Sequence, residues 1–122
     1  MMETYNSVQE KRRFKRVGAS LSVEYRDLKK AAELPKGSLS RNISEGGVCF
    51  NSREFMSLAC RLVININLPN SDKPIKAISK VAWIKRVPAT NLYELGNQFL
   101  EIAKEDRAHI VDFVNSTLNT TG

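Results

Sequence analysis

Apolar residues fall at every second position along short stretches of this chain, and turn residues close each stretch. Only near the C-terminus does the period change to that of a helix. That succession leaves few folds open. The cleanest stretch is Arg61 to Leu68, where Leu62, Ile64, Ile66 and Leu68 take one face and Asn65 and Asn67 the other. Ala19 to Asp27 alternates likewise, with Leu21, Val23 and Tyr25 opposite Ser20, Ser22, Glu24 and Arg26. Gly37 to Ile43 reads as a strand with Leu39 as its apolar residue, and Ser44-Glu45-Gly46-Gly47 then turns into Val48-Cys49-Phe50 to make a hairpin.

Further on, Ile75 to Arg86 reads as a long strand around Trp83, ended by Pro88. Its apolar phase shifts between Ala77 and Ile78, which predicts a bulge, and Trp83 is assigned to the interior. Leu92 to Leu100 closes the series, with Tyr93, Leu95 and Phe99 on one face and Gly96 where a neighbour comes close. Ahead of Arg61, the stretch Arg53 to Cys60 holds Phe55, Met56 and Leu58 without alternation and is read as a cap over a barrel mouth rather than a partner contact. From Lys104 to Leu118 the apolar residues Ile110, Phe113, Val114 and Leu118 share a helix face. Glu105 and Asp106 suit the positive end of that helix, which has no good side-chain N-cap. Six short strands followed by one amphipathic helix predict an all-β domain: a small antiparallel barrel closed at one end by the helix. At 122 residues the chain buries a working core as one domain without disulfide or metal staples.

The net charge is +6, and it is unevenly placed. Residues 11 to 16 read Lys-Arg-Arg-Phe-Lys-Arg, five cations in six positions, which points to an anionic partner. Later, Asn42-Ile43-Ser44-Glu45-Gly46-Gly47 offers short hydrogen-bonding side chains beside two glycines that allow close backbone approach. Taken alone that cluster is an Asx-type turn; with the cations it becomes a candidate phosphate-and-base site. Cys49 and Cys60 are not spaced as a redox pair, and His109 is the only histidine, so no metal site is expected. No nucleophile and base stand in a recognisable spacing, and the chain is read as a non-enzyme. No stretch approaches the roughly 20 apolar residues of a membrane helix, so a cytoplasmic protein without membrane insertion is expected.

Four spacings in order resemble the PilZ family. They are Arg12 and Arg16 as R-x-x-x-R, then Asn42, Ser44 and Gly47 as N-x-S-x-x-G, then Val81-Ala82-Trp83-Ile84 and Glu94-Leu95-Gly96-Asn97-Gln98-Phe99. The resemblance implies a six-stranded antiparallel PilZ-type β-barrel with a C-terminal α-helix, and a bacterial receptor for cyclic di-GMP. It divides the chain into a flexible tail at 1–9 and a PilZ domain at 10–118, with a mobile basic arm at 10–17, the barrel at 19–100 and the helix at 104–118. It assigns ligand binding to Arg12, Arg16, Asn42, Ser44 and Gly47, with Lys11, Arg13 and Arg41 as accessory positions. Lys11, where many members carry arginine, points to a single bound dinucleotide.

The function so implied is an effector or adaptor with no cofactor beyond its ligand. Its arginine arm is ordered over the barrel by cyclic di-GMP, and it signals to an unidentified partner protein in motility, exopolysaccharide or virulence pathways. Two other readings compete. A basic arm on a small barrel could track a nucleic-acid backbone, although most of the aromatics fall on inward phases rather than in an exposed row. The domain could also be an adaptor that works without the ligand.

Overall fold

The computed structural model describes residues 14–120. The expected tail at 1–9 and the arm residues Lys11, Arg12 and Arg13 lie outside the described residues. Seven strands run in chain order: β1 (Arg16–Gly18), β2 (Ser22–Asp27), β3 (Lys36–Ser44), β4 (Gly47–Ser52), β5 (Arg61–Ile66), β6 (Ile75–Arg86) and β7 (Tyr93–Ile102). The helix α1 (Lys104–Thr120) follows.

All pairings are antiparallel, in the order β1-β3-β2-β5-β6-β7-β4, and β4 pairs back to β3. Six strands therefore close into a barrel, with β1 as an extra strand. Closure removes the open edges that would otherwise invite pairing with another chain. β1 and β2 lie along the same edge of β3, interrupted at Ala19–Leu21. Ser40 pins the gap: its Oγ accepts from Leu21 N–H at 2.8 Å and donates to the Ala19 carbonyl.

The interior is filled by the alternating residues. Val23, Ile43, Phe50, Leu62, Ile64, Ile66, Ile75 and Leu95 are fully enclosed, and Ile110 and Val114 of α1 join them. Burying each such side chain is worth about 1.5–3 kcal/mol. α1 packs on β1 and β3, and Arg107 reaches Glu45 in the β3–β4 turn at 3.8 Å.

Several expectations need correcting. The arm does not stay free up to residue 17: Arg16 to Gly18 pair with Ser44, Ile43 and Asn42, and Val17 is buried in the core. Desolvating Val17 outweighs the repulsion among the neighbouring cations. Leu39 is exposed rather than inward, and Trp83 is 39% exposed rather than interior. Both errors come from β-bulges. In β3, Ser40 pairs with Phe50 and Asn42 with Cys49, so Arg41 is an extra residue and the inward phase switches from Ser40 to Ile43. In β6, Val81 pairs with Asn97 and Trp83 with Gly96, so Ala82 is extra and Trp83 leaves the inward row of Ile75, Ala77, Ser79 and Val81. The register also breaks at Ile78/Ser79, one residue from the expected bulge, but there the extra residue is Leu100 on β7 and the phase of β6 is unchanged. Of the expected cap over the barrel mouth, Met56 and Cys60 pack on the core, while Phe55 and Leu58 are exposed.

Candidate functional site

Alternation and the two bulges bring residues from five strands onto one patch of the outer barrel wall. Strand pairing arranges them in two rows. The first runs Gly18, Asn42, Cys49, Gly96, Trp83, and the second runs Arg16, Ser44, Gly47, Gln98, Lys80, each residue paired with the next across β1, β3, β4, β7 and β6. An open pocket of about 340 Å³ lies over these rows. Arg16, Asn42 and Ser44 line one side, Ala82 and Trp83 the other, and Gly46, Gly47, Cys49, Gly96 and Gln98 the space between, with Phe14 at the edge.

Of the residues expected to form a site, the structure thus brings together Arg16, Asn42, Ser44 and Gly47. Arg12, Lys11 and Arg13 lie outside the described residues. Arg41 is exposed beside Asn42 and does not line the pocket. Among the described residues neither Arg16 nor Arg41 has a carboxylate at salt-bridge distance, so both guanidinium groups retain uncompensated charge.

The turn is built by its own side chain. Ser44 Oγ accepts from Gly46 N–H at 3.1 Å, which fixes the two-residue loop Glu45–Gly46 between β3 and β4. The glycines have a packing reason that does not involve a ligand. A Cβ on Gly47 would stand 2.0 Å from the Asn97 carbonyl oxygen, so β4 can approach β7 here only without a side chain. A Cβ on Gly46 would meet the Phe14 ring at 2.6 Å. The close backbone approach that Gly47 allows is made by β7.

Residue-by-residue reading missed two features of this surface, at Trp83 and Cys49, and anticipated a third at Gly96. Trp83 was placed inside, yet its indole forms one wall of the pocket. Gly96 was expected to admit a close neighbour, and the neighbour is that indole, which a Cβ would meet at 2.1 Å. Cys49 sits in the floor, nearly covered, and its thiol donates to Glu94 Oε2 at 3.2 Å. Burial and the Glu94 carboxylate push this thiol up to about 12, while the Arg41 and Arg16 charges pull the other way. Both cysteines are free.

Chemically, the patch offers an unpaired guanidinium, an amide and a hydroxyl at one end, and a flat indole at the other. Asn42 and Ser44 stand about three strand spacings, roughly 14 Å, from Trp83 along the wall, and Arg16 lies one strand further out. Such a surface suits an anion that carries planar rings. Among the described residues no group of His, Cys, Asp or Glu is arranged to hold a metal, and no helix is long and apolar enough to cross a membrane.

Comparison with known proteins gives a consistent result. The family model described as PilZ domain matches residues 10–116. No curated protein sequence matches significantly. Among solved structures, the inhibitor of motility MotI/DgrA of Bacillus subtilis aligns with TM-score 0.76 and 24% identity, over 91% of this chain and 53% of that one. The PilZ domain of YcgR from Escherichia coli, solved with c-di-GMP, aligns with TM-score 0.66 and 15% identity, over 90% and 93%. PlzA of Borreliella burgdorferi, in complex with c-di-GMP, aligns with TM-score 0.61 and 14% identity, over 99% and 58%. The chain spans about half the length of MotI, and at these identities the likeness is one of fold.

Proposed function

The chain belongs to the PilZ domain family, and from that premise we propose that it is a receptor for cyclic di-GMP, held in the pocket over β3, β4, β7 and β6. One observation carries the reading. Arg16, with no ionic partner among the described residues, stands in register with Ser44 and beside Asn42 at the edge of an open pocket.

Arg16 supplies a forked donor for a phosphate or for guanine O6 and N7. Arg12, four residues earlier, is its partner from the arm, with Lys11 and Arg13 adding field; Lys11 in place of arginine favours one bound dinucleotide. Asn42 hydrogen-bonds a guanine edge. The Ser44 hydroxyl, which accepts from Gly46, keeps its proton to donate. Gly47 holds β4 against β7, and so shapes the floor rather than touching the ligand. The Trp83 indole offers a face for the second base.

Ligand binding draws the arginine arm over the barrel and changes the surface presented to a partner protein, in the cytoplasm. An output in motility or exopolysaccharide synthesis fits such a receptor, and MotI, an inhibitor of motility, has the same fold. The domain acts as a binding module, without catalysis or cofactor. An amide NMR titration tests the assignment. Cyclic di-GMP should shift resonances of the two rows, from Arg16 and Asn42 across to Gly96 and Trp83. Shifts spread over the other basic surfaces, appearing with RNA but not with cyclic di-GMP, would favour a nucleic-acid module instead.

A further inference from the structure

The strand order gathers the connections 28–35, 53–60 and 87–92 at one mouth of the barrel, since β2, β4 and β6 end there and β3, β5 and β7 begin there. The helix closes the opposite mouth, where Ile110 and Val114 enter the core and Asn70 Nδ2 donates to the His109 carbonyl at 3.1 Å. At the mouth without the helix, Leu34, Phe55 and Leu58 remain more than half exposed, a grouping of apolar side chains that marks interaction surfaces. The Phe55 ring stands edge-on to Tyr93, with centroids 5.8 Å apart. The residues that precede this pair, Glu54 and Leu92, line an open cavity of about 520 Å³ together with Tyr25, Lys36 and Arg53. The loops around it are held in shape. Ala59 and Ala89 sit in the left-handed region, at φ 68° and 62°, which alanine adopts only where its surroundings fix it. The Ala59 N–H donates to the Val81 carbonyl at 2.8 Å, and the Leu92 N–H to Thr90 Oγ1 at 3.0 Å.

Charge decides which partner fits. Over residues 27–36, 53–61 and 85–94, seven Lys and Arg stand against four Asp and Glu. Lys36 is paired with Glu54. Arg53, which lines the cavity, and Arg86, the register partner of Tyr93, have no carboxylate at salt-bridge distance among the described residues. We propose that this mouth docks an acidic segment of a partner protein. An apolar side chain of the segment enters the cavity beside Leu92, Phe55 packs against its flank, and its carboxylates meet Arg53 and Arg86. A second copy of this chain would bring the same excess of cations to the contact. An anionic membrane would press Glu33 and Glu54 against its own charge and leave the cavity unfilled. Loops that are already in place lose little freedom on docking. The cavity shares no lining residue with the pocket beside Trp83, so the proposal stands apart from the receptor reading, and the mouth anchors its partner with or without cyclic di-GMP.

Short random peptides displayed on phage and selected against the full chain supply the probe. Enrichment of sequences that set Leu or Phe beside Asp or Glu is the expected result. The best of them, made synthetically, should shift the amide resonances of Arg53, Phe55, Leu92 and Tyr93. It should bind about 30-fold more weakly to Phe55→Ala and to Arg53→Glu, the loss of a central contact in each case. Both side chains are exposed, so the thermal midpoints of the two variants should match the wild type, which separates docking from folding. No enrichment, enriched peptides without acidic residues, a peptide bound equally by both variants, or one displaced by cyclic di-GMP overturns the proposal. So does self-association in sedimentation that Phe55→Ala abolishes, which assigns the mouth to a second copy. Cosedimentation with phosphatidylglycerol vesicles that depends on Phe55 also overturns it and assigns the mouth to a membrane. None of these results bears on whether the other pocket receives cyclic di-GMP.

Discussion

The indole of Trp83 lies against Gly96 so closely that a Cβ on that glycine would stand 2.1 Å from both Nε1 and Cε2. The contact spans the β6–β7 pair at the bulge that turns Trp83 outward. Gly47 makes an equally close approach, but to the backbone oxygen of Asn97. The two glycines should therefore respond differently to substitution. In Gly96→Ala the ring swings aside, which holds the cost near the low end of the about 1–3 kcal/mol typical of overpacking. In Gly47→Ala a strand must shift, and the cost lies at the upper end or beyond. Urea denaturation of both variants checks the order, and a larger loss for Gly96→Ala contradicts it.

Trp83 is the only tryptophan in the chain, so its fluorescence reports on the pocket alone. Cyclic di-GMP is expected to quench that emission saturably as a base stacks on the ring. Trp83→Ala should bind about 5- to 150-fold more weakly, the equivalent of about 1–3 kcal/mol for one base on an aromatic face. The residue is partly exposed and its loss leaves no core cavity, so stability should change little. Ligand-saturated protein with unchanged emission would place the base elsewhere.

Arg16 and Asn42 separate binding from folding. Arg16→Ala is expected to weaken binding by about 5- to 150-fold, from the about 1–3 kcal/mol of a bidentate contact. Arg16→Lys should recover only part of that loss, and Asn42→Ala should cost less than Arg16→Ala. Neither side chain fills the core, so thermal midpoints should stay near that of the wild type. Equal affinity in all three variants would remove these residues from the site.

Cys49 gives the fold a pH dependence of known sign. Its thiol is pushed up to about 12 in the folded chain by burial and by Glu94, whereas an unfolded thiol ionises near about 8.5. Above that value the unfolded chain sheds a proton that the folded chain keeps, so rising pH favours unfolding. The contribution is complete below about pH 8.5 and is lost progressively towards about 12. Urea stability measured at pH 7, 9 and 10 should fall more steeply for the wild type than for Cys49→Ala. Parallel curves would show that the thiol is not held protonated by the fold.

The strand series and the helix were legible because burial imposes a period on sequence. Leu62, Ile64, Ile66 and Leu68 point inward as their spacing requires, and Ile110 and Val114 do the same on the helix. What spacing could not give was the position of two extra residues. Neither Arg41 nor Ala82 is a glycine or proline that would advertise a bulge, and each inverts the facing of what precedes or follows it. Leu39 and Trp83 were misplaced for that reason. The motif residues Arg16, Asn42 and Ser44 were recognisable by type and order, and pairing with β1 is what puts them side by side. The packing role of Gly47 depends on how near β7 approaches, a distance that no local sequence pattern encodes.

On the receptor reading proposed above, cyclic di-GMP is held in this pocket by Arg12 and Arg16. Isothermal titration calorimetry of the full chain with cyclic di-GMP, with GTP and a short RNA as controls, tests it most directly. Saturable binding of one dinucleotide per chain is expected, with micromolar affinity or better, sharply weakened in Arg12→Ala and Arg16→Ala. Absence of heat with cyclic di-GMP from a folded sample would contradict it, and binding of the RNA alone would move the basic arm to a nucleic-acid backbone.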